Sequence, residues 1–99
     1  MWIVSGTYVI KPGKRDAFVE QVIAQGILDK ILKEDGNIGY DYYYPLEDAD
    51  QVFFVERWTS EAAWKAHLEA PHVAQDLKSL KESYQTGFYP GVLGELTEQ

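Results

Sequence analysis

The sequence predicts an α+β domain with the element order β-α-β-β-α-β and a four-stranded antiparallel sheet. Three observations carry this reading. Stretches rich in β-branched and aromatic residues recur at 2–10 (WIVSGTYVI), 38–44 (IGYDYYY) and 52–58 (VFFVERW). Helically spaced apolar residues fill the chain between the first and second stretches and again after the third. The closing segment, YQTGFYPGVLGELT, returns to strand-like composition, interrupted by glycines and Pro90.

Each element has a local reason. The first strand stops at Lys11-Pro12-Gly13. From Lys14 to about Lys33 there is no proline, and Phe18, Val22, Leu28, Ile31 and Leu32 share a broad helical face. Ile23 and Ile27 fall off that face, so the helix is either buried on more than one side or kinked near Gly26. Asp35-Gly36-Asn37 ends it. In the second strand Ile38, Tyr40, Tyr42 and Tyr44 share one face, and an acidic turn from Pro45 to Asp50 leads back into a third strand that pairs with it as a hairpin. Thr59 or Ser60 caps a helix over about Glu61–Glu69, which Pro71 breaks. A second helical piece, about His72–Ser83, turns Val73, Leu77 and Leu80 inward, and the last strand carries a kink or bulge. The whole reads as one domain over residues 1–99 with the ferredoxin-like split arrangement.

Both faces of the strands carry apolar residues: Ile3 and Val9 oppose Val4 and Ile10, and Phe53 and Val55 oppose Val52 and Phe54. Helices cover only one face. The other face therefore calls for a second chain, and the long last strand is placed to reach across to it, so we expect a homodimer.

Composition narrows the function. The net charge of −7 argues against a nucleic-acid partner, which needs a basic surface, and against an anionic membrane. There is no cysteine, which removes disulfides, thiolate catalysis and Cys-ligated metal centres. The N-terminus lacks the basic n-region of a signal peptide, and a cytoplasmic protein is expected. Three Trp, seven Tyr and four Phe exceed what so small a core needs, and surplus rings tend to line a cavity or an interface.

Two polar residues stand out. Glu56 shares a strand face with Val52, Phe54 and Trp58, where a carboxylate is costly unless paired. Desolvation there would raise its pKa and make it a proton-handling group; a carboxylate at the sheet edge or dimer seam, accepting from a Tyr or a backbone N–H, is the structural alternative. His67 falls on one helical face with Trp64 and Leu68, toward the sheet. It is either a general base or hydrogen-bond donor in a cavity, or a half-buried histidine satisfied by a carbonyl. His72 reads as a surface or capping histidine, and its five-residue spacing from His67 is not that of a helical zinc pair, so no metal is assigned. Trp58, Trp64, Tyr40, Tyr42, Phe88 and Tyr89 are the candidate walls of a pocket for a flat apolar ligand, though each ring alone reads equally as core. No phosphate loop, dinucleotide fingerprint or nucleophile elbow is present.

The stretches IKPGKRDAFVE, EDGNIGYDYYYP and above all FVERWTSEAAWKAHLEAPH resemble the antibiotic biosynthesis monooxygenase superfamily over nearly the whole chain. The resemblance implies a ferredoxin-like dimeric α/β barrel, paired through the sheet faces and the C-terminal strand, with a pocket between sheet and helices. It implies oxygenation of a hydroquinone, anthrone or similar small aromatic by dioxygen with no metal or organic cofactor. Carried over, His67 is base or donor, Trp58, Trp64 and Tyr40 shape the pocket, and Glu56 orients a neighbour or binds at the rim. The haem-degrading branch uses an Asn on the first strand, where this chain has Ser5 and Thr7. An isomerase branch acts on a phosphorylated metabolite and would want basic residues in the pocket. Arg57 alternates to the opposite face from Glu56, and Arg15 sits before the first helix, which counts against that branch. A non-catalytic dimeric ligand-binding protein is the third reading.

Overall fold

In the computed structural model, which describes residues 1–97, β1 spans Trp2–Ile10, α1 Arg15–Ala24, α2 Ile27–Leu32, β2 Asn37–Tyr43, β3 Gln51–Trp58, α3 Glu61–Glu69, α4 Lys78–Tyr84 and β4 Gln85–Glu95. A π-helical turn, His72–Leu77, leads into α4. The domain expected over 1–99 thus includes residues 98–99, which lie outside the described residues. The strands form one antiparallel sheet in the order β2-β3-β1-β4, so the α+β ferredoxin-like class read from the sequence is the fold.

The helix expected from Lys14 to Lys33 is two helices. Gly26 takes a left-handed conformation, φ +74°, between them. The break resets the helical phase: Ile27, which the unbroken periodicity turned away, is buried with Phe18, Val22 and Ile31, whereas Leu32, expected inward, is exposed. A register shift between Asn37 and Gly39 likewise turns Ile38 out to solvent, away from the face it was expected to share with Tyr40. Tyr44 lies beyond the end of β2, its ring under the Arg15 guanidinium at 3.7 Å. Arg15 is the first residue of α1, not part of the turn before it.

The helices pack on one face of the sheet. Val4, Tyr8 and Ile10 of β1 and Val52, Phe54 and Trp58 of β3 meet Phe18, Val22, Ile27, Ile31, Val73 and Leu77 there. The opposite face, with Ile3, Val9, Phe53 and Val55, has no layer over it among the described residues and is only half-buried. A concavity of ≈ 610 Å³ lies on it, lined by Thr7, Tyr43, Pro45, Gln51, Phe53 and Val55. At the edge, β4 bulges opposite Val4–Gly6, and the buried Ser5 Oγ accepts from the Val92 N–H at 2.8 Å. A Cβ on Gly91 would stand 2.6 Å from that oxygen, which explains the glycine. No helix among the described residues is long and apolar enough to cross a membrane.

Gly36 closes the turn into β2 with φ +82°, pressed against α3: a Cβ there would lie 2.6 Å from Ala63 Cβ and 2.7 Å from Thr59 Oγ1. At Gly26 an added Cβ meets nothing within 4 Å. Gly26→Ala should therefore cost only its backbone strain, about 1–2 kcal/mol, whereas Gly36→Ala adds overpacking and should cost about 3 kcal/mol or more. Urea unfolding of the two variants checks this; equal losses would contradict the close approach of turn and helix.

Candidate functional site

The site is built where β3, the turn after α2, and α3 converge. Alternation sends Val52, Phe54, Glu56 and Trp58 to the helix-covered face, and all four are buried. Ser60 starts α3 by accepting from the Ala63 N–H at 3.1 Å, the N-cap expected of it. Two turns on, α3 lays His67 against the sheet, 2% exposed, its ring 4.6 Å from that of Trp58 and 6.0 Å from that of Tyr40.

Glu56 is 5% exposed and is not at the sheet edge. It lies on a central strand, where its Oε1 accepts from Trp58 Nε1 at 3.2 Å and stands 3.5 Å from His67 Nε2. The latter distance is long for a hydrogen bond. On the other side of the imidazole, Nδ1 lies 2.8 Å from Glu34 Oε2. The same oxygen lies 3.0 Å from His72 Nε2. His72 is thus neither a free surface histidine nor a cap. It opens the π turn and lies against the residue after α2, where it shares Glu34 with His67.

Burial sets the charges. It pushes the Glu56 carboxyl up to about 7, against the opposing pull of the Trp58 N–H and Lys81, and it lowers the His67 imidazole despite the hydrogen bond to Glu34. Both shifts favour the neutral pair. The neutral state is a carboxylic acid beside Nε2 of an uncharged ring, with Nδ1 turned to Glu34.

From this enclosed pair a lane of aromatic rings runs outward. Tyr40 lies 5.6 Å from Tyr42, Tyr42 6.4 Å from Tyr8, and Tyr8 6.0 Å from Phe88. Burial raises the pKa of all three tyrosines, so they are neutral phenols. The buried Tyr42 hydroxyl has no partner in hydrogen-bond geometry among the described residues. Phe88 marks the outer end. It is 47% exposed and lies over Gly6, where an added Cβ would come within 2.9 Å of it. With Lys78, Lys81 and Gln85 it lines a groove of ≈ 400 Å³. Lys81 Nζ sits 4.9 Å from the centroid of the Tyr8 ring, its pKa lowered by burial while Glu56 opposes that.

Of the residues singled out from the sequence, His67, Glu56, Trp58 and Tyr40 come together at the inner end, Tyr42 lies midway and Phe88 stands at the mouth. Trp64 does not join them. It packs on Trp2 at 6.0 Å, and Leu68, expected to share His67's inward face, is exposed. Arg57 is on the far face, paired with Asp41 at 3.0 Å. Sequence reasoning missed Glu34 and Lys81. Lys81 carried a signal, since it follows the inward Leu77 by four residues. Glu34 carried none, because it meets its partners only through a turn. Among the described residues no group of three or more His, Asp or Glu is arranged to hold a metal ion.

Residues 1–75 match the sequence model of the family described as "Antibiotic biosynthesis monooxygenase". The Bacillus subtilis (strain 168) protein named "Putative monooxygenase YcnE" is 34% identical over 71 residues, 71% of this chain and 73% of that one. A crystal structure of an antibiotic biosynthesis monooxygenase superposes with a TM-score of 0.80 at 23% identity, covering 99% of this chain and 100% of that one. The structure of Rv0793 from Mycobacterium tuberculosis gives 0.80 at 23% identity, covering 98% and 96%. At these identities the two structures establish the shared fold.

A carboxyl lifted by burial weakens the fold as it ionises. Its folded pKa, about 7, lies above the ordinary value of 4.5, so its contribution is intact below 4.5 and is lost as pH rises between the two. His67 has the opposite sign: its folded pKa is depressed, and stability is lost as pH falls below 6.5. Glu56→Gln, which keeps the shape and cannot ionise, should gain about 1–3 kcal/mol on the wild type near pH 8 and little near pH 4. Thermal unfolding across that range checks this. A variant destabilised at about pH 8 would make Glu56 a structural ion-pair partner.

Proposed function

The chain belongs to the antibiotic biosynthesis monooxygenase family, and from that premise we propose that it oxygenates a small electron-rich aromatic, a hydroquinone or anthrone, with dioxygen and no metal or organic cofactor. The observation that carries this reading is the Glu56–His67 pair enclosed at the inner end of a lane of rings whose outer end is an open groove. Such a substrate needs only a flat apolar slot and removal of one hydroxyl proton. Its anion then gives an electron to dioxygen. Recombination forms a carbon–oxygen bond, and loss of one water leaves the oxidised carbonyl, so one O₂ yields one inserted oxygen and one H₂O.

The chain's own groups divide the work. Phe88 and Tyr8 receive the ring, and Lys81, close to Tyr8, offsets the charge that develops on the substrate oxygen. Tyr42 offers its unpartnered hydroxyl. The ionised Glu56–His67 pair takes the proton, Trp58 and Tyr40 holding the imidazole between them. We assign the domain to the whole chain and place the working unit as a homodimer closed over the apolar sheet face, with β4 reaching the partner.

One observation favours a second reading. Lys78 and Lys81 supply at the groove the basic side chains that the arginines do not, and an isomerase of a phosphorylated small molecule would use them.

Oxygen uptake against a panel of hydroquinones and anthrones separates the two. Uptake above the autoxidation blank should rise with pH through about 7, as the pair loses its proton. His67→Ala should lower it by about 10²–10⁴-fold. No uptake with any member, alongside thermal stabilisation by phosphorylated ligands that Lys81→Met removes, favours the isomerase. For assembly, light scattering should give twice the chain mass for the wild type and the chain mass for Val55→Lys, whose charge falls on the open sheet face. A monomeric wild type ends the dimer proposal.

A further inference from the structure

One carboxylate oxygen serving two histidines is more than proton abstraction from a substrate needs. Glu34 follows α2 and reaches His67 and His72 from 33 and 38 residues away in sequence. His67 is sealed in, 2% exposed, whereas Glu34 and His72 are part-exposed. On the sealed side, His67 presents its other nitrogen to Glu56. Four groups therefore alternate, carboxyl, imidazole, carboxyl, imidazole, from a central strand to the outer surface of the π turn. Each faces the next through an atom that can bind or release a proton: Glu56 Oε1, His67 Nε2 and Nδ1, Glu34 Oε2, His72 Nε2.

We propose that Glu56, His67, Glu34 and His72 form a proton path from the enclosed end of the site to solvent, with Glu34 as its central relay. Its use in turnover rests on the oxygenation reading; the path itself does not. Glu56 passes its proton to Nε2 of His67 as Nδ1 releases one to Glu34 Oε2. Glu34 hands a proton to His72 Nε2, and His72 gives one to water from Nδ1. Each transfer breaks one O–H or N–H bond and forms another, and no electrons move. His67 and His72 each end with the proton on Nε2, and both return to the Nδ1–H tautomer before a second proton passes.

The path lets the site lose the substrate's proton on the side away from the groove, without opening the ring lane to water. The other titratable groups whose charge is felt at or from Glu56 are Tyr8 of β1, Tyr40 and Tyr42 of β2 and Lys81 of α4. Burial holds the tyrosines as neutral phenols, so the competing route to solvent runs through Lys81 at the groove. If Glu34 only clamped the two rings in place, it would fix their tautomers without speeding exchange of their protons.

The test uses the intact chain labelled with ¹⁵N-histidine, with no substrate present. It measures exchange with water of the His67 ring proton facing residue 34, near pH 7. Glu34→Gln keeps an acceptor of the same shape and cannot relay, and His72→Gln removes the outer end. Each should slow exchange by about tenfold or more while the amide spectrum stays that of the wild type. Unchanged exchange in either variant overturns the path. His72→Gln changes a part-exposed residue and carries the test alone if Glu34→Gln does not fold. A substrate panel without oxygen uptake leaves this result untouched, and unchanged exchange leaves the oxygenation reading standing.

Discussion

A carboxyl group in an apolar layer has to be neutral or paired, and Glu56 is both constrained and accommodated in this way. It lies on a central strand among Phe54, Trp58, Val4 and Tyr40, all buried. The indole N–H of Trp58 and the His67 ring are what make the position tolerable. Much of the local architecture serves that one side chain. The Ser60 cap starts α3 in the phase that brings His67 down onto β3. Gly36 lets the turn after α2 press against α3, which puts Glu34 within reach of the ring. His72, the first residue of the π turn, reaches the same carboxylate.

The sheet's two faces are given different work. The helix-covered face holds the Glu56–His67 pair and the aromatic lane, and the other holds an apolar surface with no layer over it among the described residues. Lys78, Lys81 and Phe88, which line the groove, belong to α4 and β4. Those elements lie beyond residues 1–75, the segment that the family match covers. The segment matched by the family model thus carries the buried pair, and the groove lies outside it.

The order and type of the elements were legible in the sequence because period-2 and period-3.6 patterns are local. The bounds of β1 and α3, a cap at Thr59 or Ser60 and the inward set Val73, Leu77 and Leu80 follow from neighbours a few residues apart. Where a backbone irregularity resets the phase, local reading fails. Gly26 exchanges the roles of Ile27 and Leu32, and the shift beside Gly39 turns Ile38 outward. The site followed the same rule. Glu56, His67, Trp58 and Tyr40 were visible because each violates or completes the pattern of its own strand or helix. Glu34 and His72 were not, since their meaning lies in contacts made across more than thirty residues. Trp64 had the right face and the wrong neighbour, since Trp2 at the start of β1 takes up its ring.

The account turns on Glu56 holding a proton near neutrality. Infrared difference spectra between the wild type and Glu56→Gln, taken from about pH 5 to pH 9, read that proton directly. The account predicts a buried carboxylic-acid C=O band present at the acid end and lost through a midpoint near the value of about 7 that burial gives the group. A carboxylate signature at every pH, with no acid band to lose, would contradict it and make Glu56 a permanently charged partner of a protonated His67.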